Sequence, residues 1–126
     1  MFHYTTESNQ AIEDTIKRLE NTLKDEGFGV LWQFDIQEKL QDKGVDFEVP
    51  YRVLEVCNPH EAKRVLTKDK LAGYFLPCKI VVYDDNGKTK IGMPKPTVLI
   101  EMLDDESVKN LAKDIEKRLI NCIDNV

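Results

Sequence analysis

The stretch from Tyr51 to Asp84 constrains the fold of this chain more than any other. Two runs rich in β-branched residues, Tyr51–Cys57 and Cys78–Asp84, enclose Asn58-Pro59, a short apolar-periodic segment and a loop with Gly73, Tyr74 and Phe75. Val53, Val56, Ile80, Val81 and Val82 suit a packed, pleated surface. Asn58 offers a side-chain acceptor to the first free N–H groups of a helix, and Pro59 at the first helical position gives up no needed donor. The stretch therefore reads as strand, turn, helix, loop, strand. In its helix, His60 to Lys68, the inward positions are Ala62, Val65 and Leu66. Period two puts Tyr51, Val53, Glu55 and Cys57 on one face of the first strand, with Arg52, Leu54 and Val56 on the other, the side expected to meet helices.

The flanks supply those helices. Ile12, Ile16, Leu19 and Leu23 are spaced four, three and four apart, which predicts a helix over 8–26 capped by Ser8 or Thr6 and ended by Gly27. Asp104 is the expected cap of a second, over 104–124, whose stripe is Val108, Leu111, Ile115, Leu119 and Ile123, with Cys122 beside it as a small hydrophobe. Phe2 and Tyr4 share a face of a short first strand. Val30, Trp32 and Phe34 alternate over 28–34, a strand with Trp32 in the core. Ile36 to Lys43 suits two helical turns. Asn86-Gly87 marks a hairpin joining 78–84 to 88–93. Thr97 to Leu103 is an apolar run without period, compatible with strand or helix. The fold class is α+β, a compact two-layer α/β sandwich. Its sheet is mostly antiparallel, with helices on one face, and residues 1–126 form a single domain. Helices cover one side only, so the other apolar face, with Tyr51 and Val53, implies a homodimer.

Composition narrows the function classes. At 126 residues the chain buries about 65% of its unfolded surface. A net charge of -5 disfavours a nucleic-acid ligand, which needs cations to neutralise phosphates. No run approaches the ~18 apolar residues of a membrane span. The start MFHYTTESNQ lacks the basic and apolar regions of a signal peptide, so the expected location is cytoplasmic and the three cysteines are expected as thiols. Glycines stand at no nucleotide-binding spacing, and no serine sits in a nucleophile elbow. Asp84 and Asp85 lie at a hairpin mouth, too wet for a raised carboxyl pKa. No motif states a reaction, so whether the chain is an enzyme is open.

Two groups of residues remain as candidates. Cys57 ends one strand and Cys78 opens another, so antiparallel neighbours would set them across from each other, near a helix start and Lys79 that lower a thiol pKa. Such a pair suits thiol-based redox or sulfur handling; packing as small hydrophobes is the other reading. With His60 the two make only three zinc ligands, one short of a structural site, so no metal or cofactor is expected. The second candidate is a pocket where the 71–77 loop crosses the Asn58-Pro59 turn. Leu71, Tyr74 and Phe75 would wall it, and Asn58, His60, Arg52 or Lys79 would meet a small anionic or sulfur-containing ligand.

The run Arg52 to Pro59, then Ala62 and Leu66, then Leu76-Pro77-Cys78 through Asp85, and Gly87-Lys88-Thr89, resembles the bacterial and archaeal family catalogued as domain of unknown function 302. The resemblance covers residues 27 to 103, with both long helices compatible as flanks. It implies a small two-layer fold with helices on one face of a mostly antiparallel sheet, and dimerisation. It implies no activity. Some relatives lack the two cysteines, so a thiol role would belong to a branch that, like this chain, retains them.

Overall fold

Five extended segments pair into one antiparallel sheet in the computed structural model, which describes residues 1–126. They are β1 (His3–Ser8), β2 (Gly29–Asp35), β3 (Tyr51–Cys57), β4 (Cys78–Asp85) and β5 (Lys88–Pro94), arranged in space as β1-β5-β4-β3-β2. The helices are α1 (Ile12–Asp25), α2 (Ile36–Asp42), α3 (Pro59–Lys68), α4 (Pro96–Ile100) and α5 (Glu106–Asp124), and a 3₁₀ helix spans Lys70–Phe75. The architecture is α+β. Asn86 and Gly87 adopt φ of 52° and 87°, the left-handed pair a two-residue hairpin needs, and close β4 onto β5 at Asp85 and Lys88.

Register decides what each face presents. Leu54 lies opposite Ile80, Val56 opposite Cys78 and Val82 opposite Ile91. These residues share the face against which Ile16, Leu19 and Leu23 of α1 and Leu111, Ile115, Leu119 and Ile123 of α5 pack. Each such side chain contributes about 1.5–3 kcal/mol by leaving water. The turn into α3 forms as its residues dictate: Asn58 Oδ1 accepts from the His60 and Glu61 N–H groups at 3.0 and 3.2 Å, with Pro59 in the first turn.

Some boundaries differ from expectation. Helix α1 begins at Ile12 because Ser8 ends β1; its Oγ accepts from the Gln10 N–H at 3.1 Å and meets Thr15 Oγ1 at 2.8 Å. Ala11 occupies the cap position with no side-chain bond. Asp105, not Asp104, caps α5, accepting from the Ser107 and Val108 N–H groups. The ambiguous 97–103 run contributes to α4, opened by Pro96. In α3, Val65 is buried, Ala62 half-buried and Leu66 exposed, while Glu61 is buried instead.

Strand β2 departs furthest. Val30 pairs with Val56, yet Trp32 pairs with Glu55, so Leu31 is the extra residue of a β-bulge. One inserted residue inverts a period-two pattern. Val30 faces the helices, whereas Trp32 and Phe34 fall on the opposite face. Trp32 is 58% exposed, not a core residue, and stacks on Phe34 with ring centroids 5.3 Å apart. The open face also carries Tyr51 and Tyr83, cross-strand partners stacked at 5.0 Å.

Candidate functional site

The β4–β5 ladder runs from Asp85↔Lys88 to Val81↔Gly92 and goes no further, although β5 continues to Pro94 and pairs Met93 and Pro94 with β1. Pro94, lacking an N–H, cannot extend the ladder. A cavity of about 380 Å³ occupies the space under this seam. Cys78 and Lys79 border it from β4, and Met93 and Pro94 from β5. Helix α5 supplies Val108, Ala112, Ile115 and Leu119, and α4 supplies Leu99 and Ile100. Ala72, Tyr74, Phe75 and Leu76 close it from the 3₁₀ helix and the turn after it. Two alanines among the walls, Ala72 and Ala112, leave space that longer side chains would fill. The volume lies within the ~300–1,000 Å³ of small-molecule sites, and a mainly apolar lining with few polar groups is their usual character.

The polar groups of the cavity lie at its rim. Glu55 and Lys79 are cross-strand partners on β3 and β4, and both border the cavity. Their opposite charges offset one another. Tyr74 is 83% exposed, a lip more than a wall. Leu71 is exposed and does not line the cavity, whereas Phe75 does.

The remaining sequence candidates fall elsewhere. Arg52 is held by Glu13 and, through Nε, by Asp35 Oδ2 at 3.1 Å, so it is not free for an anion. Asn58 is buried and engaged as the α3 cap. His60 is exposed on the first turn of α3 and borders neither cavity. No three His, Cys, Asp or Glu side chains are disposed to hold a metal ion, so Cys57, His60 and Cys78 do not assemble.

The cysteine pair requires a correction. β3 and β4 are antiparallel neighbours, but Val56 is the partner of Cys78, and Cys57 lies one residue beyond, opposite Gly29 of β2. Cys78 follows the helix-covered alternation of Ile80 and Val82, while Cys57 follows that of Glu55. A one-residue offset in a pleated strand sends side chains to opposite faces. Both are free and border a void of about 20 Å³ at the strand ends. Burial pushes the Cys78 thiol up to about 11, helped by Cys57 and Glu55, and burial raises Cys57 too. Neither is the low-pKa nucleophile that redox chemistry needs. Cys122 is 1% exposed, its Sγ–H donating to Thr22 O at 3.4 Å, and burial pushes it also to about 11.

Sequence reasoning missed Glu61. It borders the same small void, and its Oε1 accepts from Arg64 Nη1 at 2.9 Å while Oε2 is buried without a partner. Arg118 stands above the Phe28 ring at 5.1 Å and reaches Glu61 Oε1 at 3.8 Å. A glutamate in the first turn of a charged helix reads as solvated, so nothing in the local pattern signals its burial. Pro94 did carry a signal, since a strand proline has no N–H for a ladder.

A family model for the domain of unknown function DUF302 matches residues 4–126. The chain belongs to the DUF302 family. The match takes in both long helices as well as the 27–103 segment. A crystal structure described as an uncharacterised conserved DUF302 protein from Bacillus stearothermophilus is 61% identical to this chain. It superposes with a TM-score of 0.97, covering 99% of this chain and 98% of that one. No curated protein matches. Membership in DUF302 thus fixes the fold and brings no established reaction with it. No helix is long and apolar enough to cross a membrane.

Proposed function

We propose that the chain is a small-molecule binding module, a single domain over residues 1–126 that takes a compact, mainly apolar ligand into the cavity beneath the β4–β5 seam. The observation that carries this reading is the 380 Å³ apolar space itself, in a protein whose core elsewhere is closed around fully buried Leu19, Leu23 and Leu54. Close-packed interiors do not leave such volume by default. Lys79 is the group at the rim that would meet an anionic ligand, and Glu55 opposite it argues for a ligand without net charge. Ala112→Phe tests the reading by filling the cavity from α5. Wild-type protein should show thermal-shift responses to a subset of a broad metabolite library, and the variant should lose them while staying folded. A flat wild-type response would overturn the proposal.

We also propose that the open sheet face pairs two copies into a homodimer. Trp32 and Phe34 stack there, as do Tyr51 and Tyr83, and Trp32 is 58% exposed, so the face offers a second copy aromatic surface to cover. Light scattering at micromolar protein should give twice the chain mass, and Trp32→Lys should halve it; a monomeric wild type refutes the idea. Three free thiols support a cytoplasmic location.

A further inference from the structure

The small void at the ends of β3 and β4 has a carboxylate with an unmade bond among its walls. Glu61 belongs to the first turn of α3, and its side chain is only 10% exposed. Its Oε1 faces two cations, Arg64 Nη1 at 2.9 Å and Arg118 Nη1 at 3.8 Å. Oε2 is shut away from solvent and meets no donor of the chain. An unpaired buried oxygen destabilises a fold, and native interiors almost always supply it a partner. Size and surroundings decide what that partner is. The void measures about 20 Å³. A cavity needs about 10–15 Å³ to hold one water, so there is room for one and for nothing much larger. Polar groups stand on several sides of it. Asn58 borders the void with Nδ2 protons to give, its Oδ1 being taken by the His60 and Glu61 N–H groups. Cys57 and Cys78 border it with thiols that donate or accept weakly. Purely apolar voids stay dry, whereas a space with two to four polar partners does not. Charge argues against a cation as the occupant. Two guanidinium groups already face Glu61, so a neutral donor completes its bonding.

We propose that this void is a binding site for a single water molecule, which donates to Glu61 Oε2 and accepts from Asn58 Nδ2. Its second proton is directed at the sulfur of Cys57 or Cys78. The water thereby ties the first turn of α3 to the end of β3 and the start of β4. It also holds in place the wall of Val65, Leu76, Cys78 and Ile115 that the void shares with the larger cavity. The site stands on Glu61 and its neighbours, whether or not the larger cavity takes a ligand.

Crystals of the full chain, grown free of ammonium and metal salts, test this directly. They should show one ordered oxygen within about 3.2 Å of Glu61 Oε2 and of a second polar atom. A pair of variants tests it in solution. Ala62 borders the void, and Ala62→Val fills it and displaces the water. The unfolding constant in urea should then rise about tenfold, because Oε2 loses its donor. In a Glu61→Ala background the same substitution should leave the unfolding constant nearly unchanged, since no carboxylate is stranded. An empty void in the wild-type crystal would overturn the inference. So would an equal effect of Ala62→Val in both backgrounds, which marks a steric clash alone.

Discussion

Cys78 offers a direct test of whether the fold activates or silences its thiols. Its pKa rises from the ordinary 9.0 to about 11, chiefly because the thiolate would sit in apolar surroundings, with Cys57 and Glu55 adding to the effect. At about pH 8 an unperturbed thiol of pKa 9 is roughly 9% ionised, and one of pKa 11 roughly 0.1%, so alkylation should slow about a hundredfold. The perturbation is Cys57→Ser, which leaves Cys78 and the buried Cys122 as the thiols to titrate. An aromatic disulfide reagent should release almost no signal from the folded variant over the time in which free cysteine reacts fully, and both equivalents after unfolding in urea. The same shift predicts a stability profile. A thiol whose folded pKa exceeds its unfolded one is held neutral by the fold. Its contribution is complete below pH 9, declines as pH rises, and is lost above about 11, amounting to about 3 kcal/mol. Denaturant midpoints between pH 8 and 11 would trace this decline on top of the like one from Cys122, and Cys78→Ala should make the slope shallower by roughly half. Rapid labelling of Cys78 in the folded state, or a Cys57–Cys78 disulfide under mild oxidant, would refute the reasoning and return the dithiol reading.

Arg118→Leu should destabilise the chain by about 2–4 kcal/mol, since it removes a 2.7 Å hydrogen bond to Glu26 O and the cation over Phe28. Adding Glu61→Leu should recover part of that loss in urea unfolding, because a carboxylate left with Arg64 as its one cation no longer has to be buried. Asn58→Ala strips the cap from two N–H groups of α3 and should cost about 1–2 kcal/mol, read from the thermal midpoint.

Local chemistry was legible where a residue acts through its own neighbours in sequence. Asn58-Pro59 turns β3 into α3, Asn86-Gly87 closes the central hairpin, and the α1 and α5 stripes pack as spaced. Arg52 through Cys57 alternate as period two requires, which is why Leu54 and Val56 are buried and Tyr51 is not. These features follow from φ preferences, missing or offered hydrogen-bond groups and helical or strand periodicity, all written in short windows. Register is different, because it is a relation between strands distant in sequence. The bulge at Leu31 turned Trp32 outward, and pairing Cys78 with Val56 set the two cysteines one residue out of the opposed register that strand ends had suggested. The cavity, too, is a tertiary product. Pro94 ends a ladder wherever it is placed, but only the packing of α4, α5 and the 3₁₀ helix over that gap makes the gap a pocket. Burial of Glu61 and the raised Cys78 thiol have the same origin, since desolvation depends on what the rest of the chain lays over a group.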